Sequence, residues 1–283
     1  MGQLASHSAS GILGRRSFMC QAICAGLCSA PALDLFAGPA DAASNWRGVV
    51  GCVKPTVNNS SLVDMIRLLP RGIGVVPVYL NFTEGTREEM QSTYANYEKS
   101  VAYLASLGCD TISIEGAPPF MLLGPDGEAT LIDSWTQKYK TNMFTSSQNQ
   151  VNALRAMKIK KILGVTPFGA DLNKSYAKYF DDCGIGVVAM EGMDVPFRSI
   201  ADVSAEALYS FIKKRFLQHT GADAIYILGS PWDALGMIAA LEQDLGVPVV
   251  EPVVARIWEI QRRLHVHQPV SGYGRLLETL PAA

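Results

Sequence analysis

A chain of 283 residues, 48% hydrophobic and 18% charged, can bury a sizeable core; it is too mixed for a disordered tail, a coiled coil or a collagen-like repeat. Its 24 Lys+Arg against 26 Asp+Glu leave a net charge of -2, without the basic excess of a nucleic-acid binder, so no nucleic-acid partner is expected. Beyond the extreme N-terminus, no apolar run is long enough to span a bilayer.

In chain order, the first signal is Arg15-Arg16-Ser17-Phe18-Met19, a twin-arginine pair followed by a weakly apolar stretch and by Ala40-Asp41-Ala42, an A-x-A cleavage pattern. Gln21 and Asp34 make the stretch too polar for a stable anchor. Residues 1–43 are therefore expected to be a Tat export signal, with the Tat translocase as a transient partner. The mature chain would begin near Ala43 or Ser44 and be periplasmic or secreted, with no membrane anchor. Cys20, Cys24 and Cys28 leave with the signal, while Cys52, Cys109 and Cys183 lie in or beside apolar segments and read as buried small side chains. No metal site is expected.

After the signal one pattern occurs twice. Gly72-Ile73-Gly74-Val75-Val76 returns 112 residues later as Gly184-Ile185-Gly186-Val187-Val188, and the stretch Gly108–Pro118 returns 113 residues later as Gly221–Pro231. Each copy alternates strand and helix. The first has strands Val49–Val53, Ile73–Tyr79 and Thr111–Glu115, a helix Ser61–Leu69, and a helix opened by the capping box Thr86-Arg87-Glu88-Glu89 and running to Leu107. The second has strands Ile162–Val165, Val187–Met190, Ala224–Leu228 and Val247–Val250, with helices Asp171–Asp182, Ser204–His219, Pro231–Leu245 and Val253–Leu264. The segment Pro119–Phe144 has no counterpart of equal length; with its turn signal Gly124-Pro125-Asp126-Gly127 it reads as a lid, or as a surface packing on another subunit in a homo-oligomer.

The fold class that follows is α/β: two pseudo-symmetric lobes, over residues 44–160 and 161–283 with the C-terminal helix in the second. Each lobe is a parallel sheet flanked by helices, with a ligand crevice between them at the strand carboxyl ends. That crevice selects Pro55 and Thr56 after the first strand, Phe168 after its counterpart, and the turns Gly116-Ala117-Pro118 and Gly229-Ser230-Pro231-Trp232. Tyr79 and Asn81, after strand two, are further substrate-binding candidates. No G-x-G-x-x-G or Walker loop follows a strand, and no nucleotide or other cofactor is expected.

Val165-Thr166-Pro167-Phe168 with Leu172-Asn173, Thr145-Ser146 before Ala153-Leu154, and Leu245-Gly246-Val247-Pro248-Val249-Val250 complete a pattern over Arg47 to Leu264. The pattern resembles the aspartate/glutamate racemase superfamily, and within it the branch of maleate cis-trans isomerases and arylmalonate decarboxylases. The resemblance implies two opposed cysteines, one per lobe, that act as acid, base or nucleophile next to a carboxylate. The matching positions here are Gly116 and Gly229. The decarboxylases resemble this chain on one side only, having glycine at the first position and cysteine at the second. Candidates for the missing chemistry are Glu115, whose burial in a crevice would suit acid/base work although strand alternation points it elsewhere; Ser230, as a donor to a carboxylate or enolate; and Asp233. The resemblance thus implies a cofactor-independent lyase or isomerase acting on a small carboxylate or dicarboxylate through an enediolate-like anion. The alternative is an exported, non-catalytic carboxylate-binding protein on the same scaffold.

Overall fold

The strands that carry the apolar runs become the centres of two sheets. Gly48–Lys54 (β1) and Thr111–Ile114 (β3) are buried almost throughout, as strands covered on both faces must be, and so are Lys161–Thr166 (β5) and Ala224–Ile227 (β7). Ile73–Tyr79 (β2) and Gly186–Gly192 (β6) are half-buried edges. Asn142–Thr145 (β4) and Val249–Val250 (β8) close the other edges. The orders are β2-β1-β3-β4 and β6-β5-β7-β8, all pairs parallel. The register repeats the sequence offset: Val50 pairs with Thr111 in the first sheet, Ile162 with Ala224 in the second. The computed structural model describes residues 45–56, 60–229 and 231–282; the expected export signal lies outside the described residues.

The helices are Ser60–Leu68 (α1), Arg87–Ser92 (α2), Tyr94–Ser106 (α3), Ala117–Met121 (α4), Gly124–Tyr139 (α5), Ser146–Ala156 (α6), Ala170–Asp182 (α7), Ala205–Gln218 (α8), Ile238–Leu245 (α9), Pro252–Arg263 (α10) and Arg275–Thr279 (α11). None of them is long and apolar enough to cross a membrane.

Four expectations are corrected. The helix expected to run to Leu107 breaks at Thr93, where the Ser92 hydroxyl takes the Glu89 carbonyl and competes with the backbone ladder. Its capping box is half formed. Thr86 accepts from the Glu89 N–H, but the Glu89 carboxylate reaches past the cap to the N–H groups of Thr83, Glu84 and Gly85. Desolvation pushes that carboxyl up, and these donors outweigh it, leaving its pKa below the ordinary value. The segment Pro119–Phe144 is not a lid: Gly124-Pro125-Asp126-Gly127 is the first turn of α5, where proline is tolerated, and α5 buries Glu128, Ile132 and Trp135 before the chain enters β4. No helix opens at Pro231; a 3-10 turn at Leu235–Met237 precedes α9.

The C-terminal helix reaches across the sequence repeat. Besides α11, which follows it, α10 packs on α1, α6 and β3, all from the first half of the chain. Its counterpart α6 reaches the second sheet, where Gln150 accepts from the Tyr226 hydroxyl at 2.7 Å. Each sheet is thus closed by a helix that leaves the other sheet's side of the sequence repeat. One continuous apolar cluster joins Val50, Cys52, Met65 and Phe144 to Val165, Tyr226, Leu241 and Ile257.

Candidate active site

The carboxyl ends of both sheets open onto one cavity with about 620 Å³ of empty space, part of it open to solvent. Its walls alternate between the two copies: Pro55 and Thr56 after β1, Gly116 and Ala117 after β3, Phe168 after β5, Gly229 after β7. These six expected residues are brought together.

The two glycines are there for steric reasons. Gly116 sits at φ +90, and a Cβ built on it would lie 2.6 Å from the Tyr97 Oη, which itself donates to the Glu115 carbonyl at 2.8 Å. A Cβ on Gly229 would lie 2.9 Å from the Trp232 ring. Neither turn accepts a side chain without movement.

Other expected residues lie elsewhere. Glu115 is buried but does not line the cavity. Its Oε2 accepts from Lys54 Nζ at 2.7 Å and forms an ion pair with Arg256 Nη2 at 3.1 Å, and Lys54 also donates to Ser61 Oγ at 2.9 Å. Strand parity is the reason: adjacent positions face opposite sides, and Gly116 takes the cavity side. Trp232 is buried behind Gly229, outside the lining, and Asp233 is exposed. Tyr79 is half-buried outside the lining; desolvation, and then the nearby Glu115 charge, raise its pKa. Asn81 faces a separate hollow with Glu89 and Asn96, and its neighbour Phe82 takes the place in the cavity. Ser230 lies outside the described residues.

Met90, Ser146, Gln150, Phe197, Ile200 and Pro252, none of them expected there, also line the cavity. Ser146 and Gln150 stand one turn apart on α6, and Thr145 caps that helix with a full capping box through Gln148. The cap was visible in the sequence, but β4 before it was not, so the helix was not aimed at the crevice. Among the described residues that line the cavity none is ionisable. Cys52, Cys109 and Cys183 are absent from the lining. Cys52 is fully buried, and desolvation followed by the Glu115 charge pushes its thiol up to about 12. At the mouth, exposed Glu84 and Arg198 pair at 2.5 Å, joining the loop after β2 to the 3-10 turn Phe197–Asp202.

Residues 64–277 match the family model for arylmalonate decarboxylase. A maleate isomerase of Geobacillus stearothermophilus is 20% identical over 243 residues, covering 81% of this chain and 96% of its own. The crystal structure of a maleate isomerase from Pseudomonas putida S16 with maleate superposes with a TM-score of 0.75 at 19% identity, covering 82% of this chain and 97% of that one. A cysteine-to-serine mutant of the Nocardia farcinica maleate cis-trans isomerase, with a covalently bound succinylcysteine intermediate, gives 0.75 at 20% identity over 82% and 98%.

Proposed function

The chain belongs to the arylmalonate decarboxylase family, and on that premise we propose that it is a cofactor-free enzyme acting on a small carboxylate, by decarboxylation rather than by thiol-mediated isomerisation. One observation carries the choice: the cavity between the matching turns is apolar, and no described residue lining it has a thiol or an ionisable group. The Nocardia relative carries its intermediate on a cysteine, whereas Gly116 and Gly229 occupy the facing turns here. We read these glycines as standing where relatives hold cysteines.

Decarboxylation makes lighter demands than isomerisation. The C–C bond to one carboxylate breaks, CO2 leaves, and the electron pair passes into the remaining carboxylate as an enediolate. The α-carbon then takes a proton from water or from a hydroxyl. An apolar wall around the departing carboxylate favours loss of its concentrated charge, and neutral donors suffice to hold the enediolate. Ser230 is proposed as one such donor; Glu115 and Asp233 stand outside the cavity lining.

The test is incubation of purified protein with phenylmalonate, methylmalonate and maleate in D2O, followed by NMR. Release of CO2 with one deuterium at the α-carbon supports the reading; conversion of maleate to fumarate with malonates untouched would overturn it. The lack of ionisable groups among the described lining residues also favours a second reading, a carboxylate-binding protein without turnover, which ligand-induced thermal stabilisation of an inert protein would support. Export through Arg15-Arg16 is proposed as well. A reporter fused after residue 43 should reach the periplasm, and a Lys-Lys replacement of the pair should retain it in the cytoplasm.

A further inference from the structure

Two side chains in the cavity wall each bury a polar atom for which no described residue supplies a hydrogen-bond partner. Ser146 is 2% exposed and Gln150 is 0% exposed, and Ser146 Oγ and Gln150 Nε2 find no hydrogen-bond partner among the described residues. Folded chains rarely keep such groups unless something else completes them. Both line the cavity, and both belong to α6, an eleven-residue helix of which Ser146 is the first residue.

The Gln150 amide turns its oxygen to Tyr226. Its Oε1 accepts from the Tyr226 hydroxyl at 2.7 Å, and burial raises the Tyr226 pKa, so that the phenol keeps its proton. This leaves the two Nε2 protons as donors with no internal acceptor. The equivalent positions on α10, counted from the caps Thr145 and Glu251, are Pro252 and Arg256. Pro252 also lines the cavity but has no donor, and Arg256 is held by Glu115 outside the lining. The repeat is therefore broken in one direction: residues with side-chain donors line the cavity from α6 and not from α10.

We propose that Ser146 and Gln150 are the carboxylate-anchoring residues of this cavity, with Tyr226 as the positioning residue that orients the amide. This rests on the carboxylate-directed reading above and deepens it by fixing which way the ligand lies. One carboxylate takes the Ser146 O–H, a Gln150 N–H and the positive end of α6. The apolar body fills the space between Phe82, Phe168 and Phe197. In a decarboxylation the anchored carboxylate is the one retained, since the donors that hold it also hold the enediolate. The ligand class is a compound with one hydrogen-bonded carboxylate on an apolar body, recognised by neutral donors.

Phenylacetate serves as the probe for the anchor and phenylmalonate for turnover, with wild type, Ser146→Ala, Gln150→Met and Tyr226→Phe. Calorimetric titration should show phenylacetate binding weakened roughly tenfold by each of the first two changes and a few-fold by the third. Benzyl alcohol, which lacks the carboxylate, should bind all four proteins alike. Ser146→Ala guards against misfolding of the more deeply buried variants, and circular dichroism checks each protein. Equal phenylacetate affinity in wild type and folded Ser146→Ala and Gln150→Met would overturn the anchor, as would failure of wild type to bind either probe at millimolar concentration. Anchor-dependent binding without turnover of phenylmalonate would leave the anchor standing and remove the enzymatic reading; turnover indifferent to both substitutions would do the reverse.

Discussion

Lys54, Glu115 and Arg256 share a volume that water does not reach, each no more than 2% exposed. Two cations converge on one carboxylate oxygen, so removing the carboxylate leaves both uncompensated. Breaking a buried pair in this way costs about 3–5 kcal/mol, and Glu115→Gln is expected to lose stability near the lower end of that range in urea titrations. Because Glu115 does not line the cavity, phenylacetate affinity should stay nearly constant; unchanged stability with abolished turnover would instead assign Glu115 to the chemistry. Gly116 invites the opposite experiment, returning a thiol. A left-handed backbone costs a non-glycine residue about 1–3 kcal/mol, and the new Cβ also meets the Tyr97 hydroxyl at 2.6 Å. Gly116→Cys should therefore be destabilised by about 3 kcal/mol. Tyr97→Phe should cost about 1 kcal/mol alone, for the lost bond to the Glu115 carbonyl, yet return part of the stability in the Gly116→Cys background. Additive effects in that double-mutant cycle would show that the backbone, and not the phenol, excludes the side chain.

The helix that closes the first sheet begins on an unusual cap. Glu251 is buried, and its Oε2 accepts from the N–H groups of Val253 and Val254 at 2.8 and 3.1 Å. Desolvation outweighs those donors and the Arg256 charge, and moves its pKa from 4.5 to about 7. Between these two values the folded chain holds a proton that the unfolded chain has released. Stability therefore falls as pH rises from about 4.5 to about 7 and levels off above, by about 3 kcal/mol in all. Glu128 and Glu242, both raised chiefly by desolvation, tilt the curve the same way. Glu251→Gln keeps a cap acceptor without a charge to bury, so it should flatten most of the slope and be the more stable protein at pH 8. An identical slope in wild type and variant would place the titration elsewhere. Elements of this kind differed in how far the sequence disclosed them. Seven of the eight strands among the described residues were legible because buried parallel strands are written as apolar runs, and the duplication fixed which turns would face one another. β4 was not, since Asn142–Thr145 begins on an exposed polar residue after a helix that opens on Gly-Pro. With β4 hidden, Ser146 and Gln150 had no direction, and the site was read as backbone turns alone. Glu115 was misplaced toward the crevice by proximity, where the two-residue period of the strand already argued against it.

At the scale of the molecule, the repeat does not divide the chain into two independent bodies. α6 follows the last strand of the first sheet and bonds to Tyr226 of the second; α10 follows the last strand of the second and carries Arg256 to Glu115 of the first. Glu128, on α5, adds a third tie, accepting from Thr145, Ser147 and, across the lobes, Tyr179 of α7. A fragment of residues 44–160 would hold Lys54 and Glu115 without Arg256, and would expose the face of α1, α6 and β3 that α10 covers. A fragment of residues 161–283 would expose α10 and leave Arg256 as a cation on a bare apolar helix. The loss of a whole apolar face at about 25 cal/mol per Å² exceeds the marginal stability of a domain of that size. Each fragment alone should therefore lack cooperative unfolding and bind a hydrophobic dye. The two mixed should recover native-like circular dichroism and one thermal transition near that of the intact chain, in which fluorescence and far-ultraviolet signals coincide. Independent cooperative melting of the 44–160 fragment would mean that the exchanged helix is a late addition to a lobe already complete, and that the Glu115–Arg256 pair contributes orientation rather than stability.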